Sequence, residues 1–305
     1  MPEYPGIDAP INQYTSYIEQ TDELQTAWED IVGANNDAVA AMQDKPEKDY
    51  KRMLGVLQDT LKTADMKYSK YGKLNYQELV RHDFIHKLDK AVAMAVKEGY
   101  SNITKRAIND QRILAERTYG SAVMTINQAT GISASPKISG KAITEILQKP
   151  WDGISLNERL YLRQQALGVT LRAQIVRDTM GTGATYREIM EHVQKVMVRD
   201  YASLGKMMEE AAHQFQSDAE QQALNDLKEE DIQITKTWVT AGDNRVREAH
   251  EYLDGMTVDA QEMFEVPEGD YRGYKADGPG LFGEPALDFN CRCYVVAGVR
   301  PREKE

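Results

Sequence analysis

Residues 232–255 read IQITKTWVTAGDNRVREAHEYLDG, and this stretch decides the fold class. Residues 232–241 alternate apolar and polar positions and are rich in β-branched side chains, the pattern of a strand with one buried face. Within a few residues the period changes. Val246, Ala249, His250 and Leu253 fall on one side of a helix, with Asp243 at the turn between the two. A strand feeding directly into a short helix predicts a small α+β module at the C-terminal end.

Working outward, the downstream chain fits that module. MTVDA and EMFEVP read as short strands, DGPGLFGEPALDFN is rich in turn residues, and CRCYVVAGV reads as the last strand. Upstream of Asp231 the texture is helical. Met53, Val56, Leu57, Leu61 and Ala64 recur at helical spacing. Leu79, Ile85, Leu88, Val92 and Val96 do the same, with Gly99 as the expected stop. The many polar positions between them suggest slender helices with modest burial. Thr130–Ala142 is rich in Gly, Ser and Pro and reads as a linker or exposed loop. Ser155 with Glu158, and Thr185 with Glu188, have capping-box spacing and mark two helix starts. Gly181 and Gly183 separate those helices, and a further helix is expected over 201–228. The organisation predicted is a helical region 1–140, a helical region 141–230 and an α+β module 231–305. Trp28, Trp151 and Trp238 are expected to be core anchors.

The chain has 305 residues and a formal net charge of -11. An acidic surface repels bulk nucleic acid, so DNA binding would need a local basic patch. The residues MPEYPGIDAP carry no secretory pattern, and no apolar run is long enough to span a membrane. The two cysteines do not make a disulfide scaffold; the expectation is a soluble protein made in a reducing host cytoplasm.

Chemistry-bearing residues concentrate in the module. Along an extended chain Cys291 and Cys293 point to one face. With His250 they supply three soft ligands of the kind zinc takes, the fourth being Asp243, Asp254 or a water. The competing reading is plainer: two small buried residues and a satisfied core histidine. Asp243 is placed to cap the helix, and Arg245 and Arg247 to pair with carboxylates such as Asp254. A cysteine beside His250 could in principle be a nucleophile, but no motif specifies it, and no catalytic residue is assigned. His82 and His86 are four apart without a zinc-protease glutamate between them, and read as solvated. GTGAT lacks the ending of a phosphate loop and reads as a helix-to-helix turn. Arg159, Arg163, Arg172 and Arg177 read as a solvated face.

In sum, KTWVTAGDNRVREAHEYLDGMTV, then Phe264, DGPG and NCRCYVV resemble the C-terminal signature of the Mu F-like phage minor head proteins. The upstream stretch from KAITEILQKPWDGISLNERL to GTGATYREIMEHVQKVM is similar to the same family. The resemblance covers about the last 165 residues. Where family members often carry a Thr-Glu pair, this chain has Met207-Met208-Glu209-Glu210. The resemblance implies a minor capsid protein near the portal vertex of a virion, with the portal protein, the major capsid protein or packaged DNA as partners. Its roles would lie in head assembly, DNA packaging or ejection, without enzymatic activity. The rivals are a DNA-binding internal head protein and a catalytic, toxin-related Mu F-type protein. Trp238, Asp243, Arg245, Arg247, His250, Asp254, Asn290 and Arg292 are expected to form one structural cluster with the two cysteines.

Overall fold

The computed structural model describes residues 25–37, 39–40, 46–131, 133–151, 153–227 and 232–301. Residues 1–24 and Lys228, the expected end of the last long helix, lie outside them. The elements run α1 (25–37), α2 (Glu47–Tyr68), α3 (Tyr76–Arg81), α4 (Phe84–Thr130), α5 (Gly140–Gln148), α6 (Leu156–Thr179) and α7 (Tyr186–Asp226). Then follow β1 (Ile232–Val239), α8 (Glu248–Glu251), β2 (Thr257–Asp259), β3 (Phe264–Glu265), β4 (Lys275–Ala276), α9 (Pro285–Asp288) and β5 (Tyr294–Pro301). This is an α+β chain: long helices, then a small antiparallel sheet.

The chain forms two compact units that are not consecutive stretches of sequence, unlike the three-part division drawn from the sequence. Among the described residues, one unit takes those within 39–111 and 148–211; the other takes those within 25–37, 112–147 and 212–301. The boundaries fall inside α4 and α7.

In the first of these units the helices are not slender. Met53, Leu57, Leu61 and Ala64 of α2 are buried with Leu88, Val92, Val96 and Tyr100 of α4 and Leu160, Leu171 and Ile175 of α6. Val56, expected on the same stripe, is exposed, because it lies off the arc that faces α4 and α6. Gly99 does not stop α4; the helix runs on to Thr130, and the glycine gives Met53 room, since a Cβ there would sit 2.6 Å from the Met53 sulfur. The two histidines do not share a helix. α3 ends at Arg81 and Asp83 takes a left-handed conformation, so His82 stacks on Tyr68 while His86 remains exposed. Both capping boxes form: Glu158 N donates to Ser155 Oγ at 3.4 Å and Ser155 N to Glu158 Oε2 at 3.0 Å, with the same reciprocal pair at Thr185 and Glu188. The helix begun at Thr185 does not break before 201 and is continuous to Asp226. The GTGAT turn follows the reading above: Gly181 and Gly183 have positive φ, and Gly183 packs against the Leu74 backbone, where a side chain could not fit.

Three of the four arginines of α6 are not a solvated face; Arg177 is exposed, as expected. Arg159 lies over the Trp151 ring and donates to Trp151 O. Arg163 pairs with Asp200 at 2.7 Å, and Arg172 with Asp89 at 2.9 Å. The Tyr50 and Tyr100 hydroxyls both donate to Asp200 Oδ2, while Arg163 takes Oδ1. One carboxylate therefore ties α2, α4, α6 and α7 together.

In the other unit Trp28, Tyr119, Val123, Ile126, Phe215 and Leu224 form a helical core, and Tyr119 donates to Asp226 at 2.8 Å. The sheet order is β2-β1-β5, all antiparallel, with Trp238 opposite Val295. β3 and β4 make a separate two-stranded ribbon. Trp238, Leu253, Phe264, Val266, Leu287, Cys291, Cys293 and Val295 close a core of their own.

Candidate functional site

Each expected site residue can be followed to its place. β1 ends at Val239, and the chain returns through α8 to begin β2. Asp254 closes that loop: its carboxylate accepts from Thr240 N at 2.8 Å, and Gly255 N donates to Trp238 O at 2.9 Å. Asp254 therefore pairs with backbone and not with Arg245 or Arg247, because its own turn already places an orphan amide within reach.

Asp243 does not cap α8. The residue at the helix N-cap is Arg247, with no side-chain cap. Asp243 instead accepts from Arg245 N at 2.9 Å and takes Arg292 bidentately, at 2.6 and 2.7 Å. Fork-to-carboxylate geometry outcompetes a single amide contact. The Arg292 guanidinium holds the Asp243 carboxyl well below the usual carboxylate range, followed by the Arg245 amide. Arg245 adds only a 3.5 Å contact to the same carboxylate. Arg247 donates to Phe289 O, which anchors the segment leading to the cysteines. Asn290 follows with φ of 55°, a left-handed turn that asparagine tolerates. Its contribution is that backbone turn; its side chain is exposed.

The cysteines precede β5 and are not part of it, yet the alternation expected of an extended chain holds. Cys291 and Cys293 are buried and Arg292 between them is exposed. His250 Nδ1 lies 3.7 Å from Cys291 Sγ and 3.5 Å from Cys293 Sγ. The imidazole is 1% exposed, stacked on Phe282 and edge-on to Trp238. Its Nε2 and the Trp238 Nε1 are buried without a hydrogen-bond partner among the described residues. A hydrogen bond from the Cys291 thiol lowers the Cys293 pKa, and His250 adds to the effect; Cys291 is pushed up correspondingly. Both thiols are free of disulfide.

Two residues of the module carried no sequence signal as site members. Asp288 is buried and accepts from the backbone amides of Phe282, Gly283 and Glu284, organising the loop that carries Phe282. Lys236 is wholly buried on β1. Its ammonium donates to Gln221 Oε1 and Asp277 O, both at 2.8 Å, and burial pushes its pKa down to about 8. In the sequence Lys236 occupies an ordinary alternation slot; only its partners make it tolerable.

Residues 172–296, which contain every one of these groups, match the family described as Phage Mu protein F like protein. Over that range the chain is Mu F-like. Residues 141–171, included in the sequence-based resemblance, fall outside the matched range. The chain is 31% identical over 191 residues to the NAD(+)--arginine ADP-ribosyltransferase EFV of Enterococcus faecalis (strain ATCC 700802 / V583). That match covers 61% of this chain and 38% of that protein, so the chain spans well under half of the relative's length. It is also 23% identical over 239 residues to the minor head protein GP7 of Bacillus phage SPP1, covering 77% of this chain and 76% of that protein. No solved structure matches it significantly. No helix among the described residues is long and apolar enough to cross a membrane.

Proposed function

We propose that this protein is a non-enzymatic minor capsid component of a tailed-phage virion, acting near the portal vertex in head assembly, DNA packaging or ejection. The observation that carries the reading is the extent of the likeness to a phage minor head protein, three-quarters of each chain. The likeness to the ADP-ribosyltransferase reaches only 38% of that enzyme. The site chemistry supports the same view. Asp243, Arg245, Arg247, Asp254 and Arg292 each bond to another part of the C-terminal module. Side chains engaged in this way build an interaction module; they do not face a reacting atom.

The portal protein and the major capsid protein of the same phage are the expected partners. Co-expression of the chain with each, followed by size-exclusion chromatography, tests this. Co-elution with the portal protein supports the reading, and no co-elution with either overturns it. Two further arms address the rivals. Incubation with NAD(+) and an arginine acceptor peptide is expected to transfer no ADP-ribose. DNA binding with steep salt dependence would favour an internal DNA-binding protein.

A further inference from the structure

We propose that His250, Cys291 and Cys293 bind one zinc-class divalent cation through Nδ1 and two sulfurs, with solvent supplying the fourth ligand. The three donor atoms lie within 4.8 Å of one another, and no other group of three or more such ligands occurs among the described residues. A tetrahedral zinc ion with bonds of about 2.0–2.1 Å to nitrogen and about 2.3 Å to sulfur sets those donors roughly 3.6 Å apart. The nitrogen-to-sulfur separations here are 3.7 and 3.5 Å. Both nitrogen-to-sulfur separations therefore already match what the ion requires.

Charge points the same way. Two thiolates and one neutral imidazole offset the charge of a divalent cation, so the filled site is electroneutral. A buried pocket walled by Trp238, Phe264 and Phe282 tolerates a neutral complex far better than an isolated thiolate. A purely apolar core needs no imidazole; here one is 1% exposed, between two thiols and two aromatic rings.

The surroundings fix the approach of the ligands. Arg292 leaves the pocket to clamp Asp243, and Arg247 holds Phe289 O, so residues 291–293 are pinned from both sides. Both clamps come from the loop and turn that deliver His250. The ion would join residue 250 to residues 291 and 293, in a module whose other elements include pieces of two to four residues. A module with so little regular structure gains most from such a staple. This inference does not depend on the head-protein role.

The test uses the full chain, loaded with Zn2+ and desalted, then with Co2+ in its place. About one zinc per chain is expected by elemental analysis. The cobalt form should show thiolate-to-metal charge transfer and the strong visible bands of a tetrahedral ion. Both cysteines should resist a thiol reagent until a chelator is added, a readout that needs no variant. Cys291→Ser and Cys293→Ser should each weaken zinc affinity by more than about 100-fold, beyond the usual loss of an outer-shell partner. A folded chain that retains no zinc overturns the proposal. So does a cobalt spectrum without thiolate charge transfer, thiols equally reactive with and without zinc, or a serine variant that keeps wild-type affinity.

Discussion

Two buried polar clusters, one in each compact unit, are built on different principles. In the helical unit the Asp200 carboxylate receives Tyr50, Tyr100 and Arg163, so both of its oxygens are engaged. In the C-terminal module the imidazole of His250 meets two sulfurs at 3.5 and 3.7 Å, and its Nε2 has no partner among the described residues. In the first cluster the carboxylate is satisfied by protein groups, although Arg163 Nε is buried without a hydrogen-bond partner among the described residues. The second has its donor atoms converging on a common point, the mark of ligands and not of a finished hydrogen-bond network. A polar group can be buried because its neighbours satisfy it, or because something else is meant to.

The comparison can be broken most decisively at Asp200. Asp200→Ala strands the Arg163 charge and two tyrosine hydroxyls together, and should cost about 3–5 kcal/mol in urea denaturation. A cost near that of an exposed substitution would show that the cluster holds nothing together.

Alkali should separate the two regions by sign. Burial, with Asp200 adding, raises the pKa of both Tyr50 and Tyr100. Their contribution is fully present below the unfolded tyrosine value of about 10 and is lost as pH rises beyond it, by up to about 1.4 kcal/mol per pH unit for each tyrosine. Lys236 moves oppositely. Its folded pKa of about 8 lies below the ordinary lysine value of 10.5. Between those values the unfolded state binds more protons, so this residue's contribution rises with pH, by about 1 kcal/mol per unit. Denaturation midpoints measured from pH 8 to 11 should lose the alkaline fall in Tyr50→Phe and Tyr100→Phe. The Lys236→Met variant should lose the rise. Identical pH profiles for all three variants and the parent would remove the contrast.

Within the module the smallest effect is expected at Arg292. Its pair with Asp243 is solvent-exposed, and such pairs contribute little to stability. Arg292→Ala should leave the thermal midpoint close to the parent's. It should, however, increase the rate of thiol labelling at Cys291 and Cys293 if the clamp positions that segment. Unchanged labelling would assign Arg292 no positioning role.

Much of this architecture was legible in the chain. The change of period at β1, the two capping boxes and the glycine turn all depend on neighbours within four residues, where local physics governs. Burial of the three tryptophans followed from their size. Local reasoning failed where a distant partner overrode it. Gly99 looks like a stop, but α4 continues because tertiary packing outweighs the cost of one helical glycine. Three α6 arginines look solvated until Trp151, Asp89 and Asp200 arrive from other elements. Asp243 looks like a cap until Arg292, forty-nine residues later, offers a better-matched partner.

By itself the sequence determined that a helical chain ends in a small α+β module, that both thiols share a face, and that a histidine stands ready in a short helix. Only the tertiary structure decided that Nδ1 meets both sulfurs, that Lys236 is buried, and that one carboxylate ties four helices. Periodicity is written in adjacent residues, whereas side-chain partnership is set by loop closure and packing, which bring together groups that no short window contains.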